Sequence, residues 1–489
     1  MKIRTMKNAP ALGLAAAMGL GFLLSSTDAL AQRAEWPRKD VPYAVDTGLL
    51  MNGGNAMKVV WSEIIEVPDV ISVRLFFSDL MLSWNPDTLE GSILRITSLT
   101  DGAVQHLNAL SAEQWANSSA YFNGNAVQVE LLAAPDGKPN RVVLQHVEAG
   151  LADDSVGIAS ICGNADDRQL SYSDRSGRLS SGCTAWIFDD SNHQFLTAGH
   201  CGARQGVVVE FNVPLSNSNG SLNHPGPEDQ YPIDGASVQS VNGGIGNDWA
   251  YFACFPNTET GLTAYQAQGD YHVLADRAPS VNGQDIRITG YGTVSSPVSP
   301  TWQQVQKTHV GPYMSLSGTT VRYRPDTTGG NSGSAVWNET DGEAIGIHSH
   351  AGCNSWDPNS ANQGTAIHNS GLQNALLNPR GLAAPFSLTV SNLSAGQNVV
   401  LEADDSSSAA PGKQVYFAYS VRGEGSTHLA DLGVTMGLQS PVLIGSTFFD
   451  GSGYAPLSAR VPSGAQGRAV WFQAVRAGRV SEVASGTVQ

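Results

Sequence analysis

Gly329-Gly330-Asn331-Ser332-Gly333-Ser334 is the stretch on which the reading of this chain turns. Glycines on both sides of a serine let the backbone curl tightly, because glycine enters left-handed conformations without a Cβ penalty. Amides in such a curl can point at a bound carbonyl, beside the serine hydroxyl that attacks it. Upstream, Asn247-Asp248-Trp249-Ala250-Tyr251-Phe252 places an acid ahead of an apolar strand, where it can enter a core and orient a histidine. Further upstream, Phe195-Leu196-Thr197-Ala198-Gly199-His200-Cys201 runs an apolar strand into a small-residue turn carrying His200. Such a histidine can act as general base toward a hydroxyl. Each segment alone is an ordinary loop or strand end. Together, in the order His, Asp, Ser, they predict a catalytic set of His200, Asp248 and Ser332.

The rest of the chain sets the context. At 489 residues it has length for about three domains, with 41% hydrophobic and 14% charged residues. Its 53 glycines and 24 prolines suit turn-rich β structure. A net charge of −16 argues against the basic surface that nucleic-acid binding needs. Lys2, Arg4 and Lys7, the apolar run from Ala11 to Leu24, and Ala29-Leu30-Ala31 read as a secretory signal peptide over residues 1–31. No later stretch is apolar enough to span a bilayer, so a secreted, extracellular protein is expected. Export permits disulfides, and five cysteines leave at least one thiol without an intrachain partner. No cysteine or histidine spacing reads as a zinc site.

Residues 32–158 read as a β-rich pro-region or accessory domain: Val127, Val129 and Leu131 alternate with polar residues after the turn dipeptide Asn123-Gly124, and residues 141–147 form another β run. Residues 151–160 suit an exposed connector and processing site. Residues 159–380 carry the chemistry and end in a short helix over 370–377, with Leu372, Ala375 and Leu376 on one face, stopped by Asn378-Pro379. Residues 381–385 read as a linker. Residues 386–489 read as a β-sandwich, with alternation at Val415, Phe417 and Tyr419 and at Val470, Phe472 and Ala474.

The central block resembles the chymotrypsin-like serine peptidases, whose triad has this chain order. Thr197-Ala198-Gly199-His200-Cys201 and Gly330-Asn331-Ser332-Gly333-Ser334 look like their histidine and serine signatures, with Asn331 where many members have Asp. The resemblance implies an all-β fold of two six-stranded barrels with the site between them. It also implies a Cys183–Cys201 disulfide and an oxyanion hole from the amides of Gly330 and Ser332. The block is closest to bacterial glutamyl endopeptidases, on Asp166-Asp167-Arg168, Cys183-Thr184-Ala185-Trp186, the run from Thr327 to Ser334, and Gly346-Ile347-His348. That likeness implies that His348, helped by Thr327, lines the primary pocket; a histidine and a hydroxyl can donate hydrogen bonds to a substrate Glu, or Asp. It further implies maturation near residues 159–161, with the new amino terminus completing the pocket. His350 stands where relatives have Trp or Gly.

Two alternatives follow from the same residues. Asp326 lies six residues before Ser332, where trypsin-like enzymes hold the aspartate that binds Lys and Arg, although some glutamyl endopeptidases also have Asp there. A non-catalytic binding protein on a peptidase fold would make the flanking β domains the functional parts. Among the remaining cysteines, the first-ranked pairing is Cys162 with Cys254; the alternatives pair Cys353 with Cys254 or Cys162, or leave it free. The partners are protein or peptide substrates. The chemistry requires neither cofactor nor metal, and a structural calcium is compatible with it.

Overall fold

Strands make up 45% of the structure, and the named strands pair antiparallel. The structure, a computed structural model, describes residues 31–85, 90–135, 137–152, 159–407 and 410–489. Residues 1–30 of the expected signal peptide, and residues 153–158 of the expected connector, lie outside the described residues.

Two sheets form the centre. In one, Gln169–Leu170, Lys307–Ser317, Asp285–Gly290, Ala335–Asn338, Glu343–His350, Asn362–Ala366 and Thr320–Tyr323 lie side by side in that order. Lys307–Ser317 also pairs with Thr320–Tyr323, which closes six of these strands into a barrel. The other sheet runs Gln230–Pro232, Val208–Glu210, Ser176–Leu179, Cys183–Ile187, Phe195–Thr197, Asp248–Phe252, Gln239–Asn242. It forms a half-barrel and, beside the closed barrel, fits the double-barrel fold expected. Pro232 has no amide to donate, and the turn Gly235–Ser237 between the two edge strands is held instead by the segment that follows the block, Leu382 N–H donating to Asp234 Oδ2 at 2.8 Å. One apolar core, including Trp186, Phe195, Tyr251, Ile288 and Ile345, serves both sheets.

The flanks are β-rich, and the fold is all-β as expected. At the amino-terminal side, two four-stranded antiparallel sheets enclose a core around Leu75, Trp115, Val127, Val129 and Leu131. Asn123-Gly124, with Gly124 at φ +87°, carries the chain from one of these sheets to the other. Val208 and Leu222 of the central block join this core. Tyr121 and Gln230 exchange two hydrogen bonds across the boundary, at 2.9 and 2.8 Å. The carboxy-terminal side has a three-stranded and a five-stranded sheet. The alternation expected at Val415, Phe417 and Tyr419 breaks at a bulge between Phe417 and Ala418, which leaves Tyr419 half-buried. Residues 381–385 are no free tether: Gly381, Ala383 and Ala384 are buried in the junction. The helix Ser370–Leu377 forms where expected, with Asn369 as its N-cap and Leu372 and Ala375 buried.

Cys183 is bonded to Cys201. The expected Cys162–Cys254 bridge is incorrect: Cys162 pairs with Cys353, and Cys254 is a buried free thiol. Contacts between segments distant in the chain decide this. Ala159 and Ser160 lie antiparallel to Thr328 and Thr327, and Cys162 N–H donates to Asp326 Oδ1 at 2.7 Å, which carries Cys162 to the closed barrel. Cys254 sits instead beside Ile233 on the half-barrel.

Candidate active site

The strand Phe195–Thr197 ends in a 3₁₀ turn, Gly199–Cys201, that turns the His200 ring toward the space between the two sheets. Gly199 permits this approach, since a Cβ there would fall 2.1 Å from the Val241 carbonyl oxygen. Asp248, fully buried, opens the strand Asp248–Phe252 and receives both the His200 backbone N–H at 2.9 Å and the His200 Nδ1–H at 2.5 Å. Thr365 holds the acid in place: its hydroxyl accepts from the Asp248 N–H and donates to the Asp248 carbonyl, both at 2.9 Å. With Nδ1–H committed to the carboxylate, Nε2 is free to accept, and it lies 2.8 Å from Ser332 Oγ.

Backbone geometry shapes the serine loop. Gly330 and Gly333 have φ of +99° and +91°, and a Cβ on either would strike backbone: Tyr291 O at 2.4 Å for Gly330, Thr184 O at 2.1 Å for Gly333. Arg168, buried, clamps the loop from below. It donates to Thr328 Oγ1 at 2.8 Å and Asn331 Oδ1 at 3.2 Å, and pairs with Asp166 at 2.6 Å. Asn331 in turn accepts from the Thr328 N–H at 3.0 Å. The Asp-Asp-Arg motif marks this arginine in the sequence, but nothing there links it to the serine loop.

The cleft is occupied by the chain itself. The carbonyl of Gln32 accepts from Gly330 N–H at 2.6 Å and Ser332 N–H at 3.4 Å. Its N–H donates to Ser332 Oγ at 3.0 Å and Ser349 O at 3.3 Å, and Ala31 bridges antiparallel to His350. Its side chain enters a closed pocket, where Gln32 Oε1 meets His348 Nε2 at 2.5 Å. Burial first, then His350 and His200 nearby, push the His348 imidazole down to about 3. The ring is therefore neutral at ordinary pH. An amide oxygen only accepts, so the proton is on Nε2, and Nδ1 accepts from the Tyr323 hydroxyl at 2.7 Å. Burial raises the Tyr323 pKa well above its ordinary value and keeps that donor protonated.

The other expected pocket residues are placed differently. Thr327 is fully buried, and its hydroxyl makes no hydrogen bond among the described residues. Asp326 accepts from the Cys162 N–H and lies beside His309; its pKa is raised, chiefly by burial. His350 stands edge-on to His200, ring centres 6.0 Å apart. Tyr323, Thr365 and Gln32 were not marked by any motif; Tyr323 and Thr365 sit in ordinary strand alternation, and Gln32 in no pattern at all.

The chain contains a chymotrypsin-like serine protease domain: residues 157–368 match the family model described as Trypsin. Glutamyl endopeptidases of Staphylococcus aureus strains MW2 and MSSA476 are similar, each 31% identical over 122 residues that make up 25% of this chain and 35% and 34% of those relatives. This chain thus spans about a third of the length of the curated relatives it matches. A solved structure of a Glu endopeptidase in complex with MPD aligns with 45% of this chain and 98% of its own, at 18% identity and a TM-score of 0.33.

Proposed function

We propose that this protein is a secreted serine endopeptidase that cleaves peptide bonds after Glu, and secondarily Asp, through an acyl-enzyme. The observation that carries the reading is the contact chain from Asp248 through His200 to Ser332, beside two amides already engaged with a peptide carbonyl. His200 Nε2 takes the Ser332 proton as Oγ attacks the scissile carbonyl. Asp248 keeps Nδ1 protonated and stabilises the imidazolium that forms. The amides of Gly330 and Ser332 bind the oxyanion, His200 protonates the leaving amine, and water then repeats the sequence on the ester.

The pocket supports an acidic preference. A neutral His348 offers one N–H at its closed end, held in that tautomer by Tyr323. A substrate carboxylate accepts that hydrogen bond and, being charged, strengthens it about twofold over a neutral acceptor. No cation or carboxylate faces Gln32 there among its described contacts, and Asp326 is engaged with the Cys162 amide. Digestion of a defined peptide library, read by mass spectrometry beside a Ser332→Ala control, tests activity and preference together. Cuts after Lys or Arg would refute the pocket assignment, and equal products from wild type and control would refute catalysis.

The domain reading follows: a signal over 1–31, a pro-region over 32–158, the peptidase over 159–380, a junction at 381–385 and an accessory sandwich over 386–489. Among the described residues no helix is long and apolar enough to cross a membrane. Amino-terminal sequencing of the secreted, active form is expected to find a start near residues 159–161.

A further inference from the structure

The segment in the cleft lies as a substrate would lie. Gln32 fills the primary pocket with its carbonyl on the Gly330 and Ser332 amides. Ala31, the last residue of the expected signal peptide, bridges His350, and removal of that signal leaves Gln32 as the first residue in the cleft. On the other side Ala34 N–H donates to Gly182 O at 2.9 Å, and Gln304 Nε2 donates to Ala34 O at 3.1 Å. Arg33 Nε reaches Ser181 O at 2.7 Å. Gly182 has φ +83°, and a Cβ there would lie 2.3 Å from the Ala34 carbonyl oxygen, so the groove wall admits this segment only as glycine. Two residues on, Trp36 is anchored among Tyr121, His224 and the guanidinium of Arg178. The segment is thus gripped on both sides of the bond that follows Gln32.

Gln32 matches glutamate in shape and length but carries no charge. Its oxygen takes the hydrogen bond that a glutamate carboxylate would take, while its buried Nε2 has no partner among the described residues. An unpartnered buried N–H₂ costs free energy and so weakens the hold of the pocket on Gln32. We propose that the chain restrains its own active site with Gln32, an uncharged facsimile of the residue it cleaves after, held as a releasable plug by the pro-region. This rests on the glutamate reading of the pocket given above.

The test uses the full chain and a fluorophosphonate probe, which labels Ser332 and carries no side chain for the primary pocket. Wild type is expected to label slowly. Gln32→Gly empties the pocket and is expected to label at least about tenfold faster, the effect of losing one well-formed hydrogen bond from the plug. Ala34→Pro, which removes the N–H given to Gly182, is expected to label faster as well by an independent route. Gln32→Glu is expected either to label more slowly than wild type or to be cut between residues 32 and 33, seen in its intact mass; both require residue 32 in the pocket. Unchanged labelling in both Gln32→Gly and Ala34→Pro would overturn the proposal. Because the probe is blind to the pocket, faster labelling alongside a library without cuts after Glu would sink the specificity reading and leave the plug standing.

Discussion

Gly333 shows how far a single residue is constrained here. Its φ of +91° and the Thr184 oxygen 2.1 Å from a hypothetical Cβ leave no room for a side chain. Gly333→Ala is therefore expected to lower stability by roughly 1–3 kcal/mol and to displace the serine loop, read as a fall in both urea midpoint and kcat. Ser332→Ala or His200→Ala should reduce kcat/KM by ~10⁴-fold or more on a Glu-containing peptide, with the double variant little worse than either single one. His348→Leu removes the side-chain donor that meets the Gln32 oxygen, and is expected to lower kcat/KM for Glu by roughly 10- to 100-fold while sparing Leu substrates. His200, Asp248 and Ser332 were legible in sequence because proton transfer to a hydroxyl restricts both residue type and loop glycines. Gln32 was not legible, since a residue that imitates a substrate has no motif beyond looking like one.

At the scale of elements, legibility followed locality. The helix Ser370–Leu377 was readable because its cap, its apolar face and its stop lie within ten residues of one another in the chain. Asn369→Ala removes the acceptor for the Gly371 and Leu372 amides and is expected to cost about 1 kcal/mol in thermal or urea unfolding. The cysteine pairing was unreadable for the converse reason. Cys162 reaches Cys353 through a short strand pairing and an amide bond to Asp326, both set by tertiary contacts. The contact of residues 381–382 with Asp234 was likewise hidden, because it reaches the half-barrel from beyond the block.

The molecule as a whole is organised around the contact between its amino-terminal sheets and the half-barrel. Under Trp36 and Tyr121, Glu210 is wholly buried with Arg178 and His224, at 2.7 and 2.6 Å. Burial acts to raise its pKa, but Arg178 and then His224 outweigh that and bring it from 4.5 to about 2. A depressed carboxylate contributes stability that is complete above its unfolded pKa near 4.5 and fades as pH falls toward 2. The urea midpoint of the full chain is expected to drop across that window, and Glu210→Gln is expected to flatten the drop while lowering stability at neutral pH. The contacts that hold residues 32–34 in the cleft are made with the peptidase block itself and do not pass through the connector near residue 159.

Trp36 is therefore an optical gauge. Its indole is 3% exposed, packed against Tyr121 and His224 with two guanidinium groups within 6 Å. Withdrawal of the segment would move that indole from a dry, cationic niche into solvent, so its fluorescence should report cleft opening in real time, isolated from the other tryptophans by subtracting the trace of Trp36→Phe.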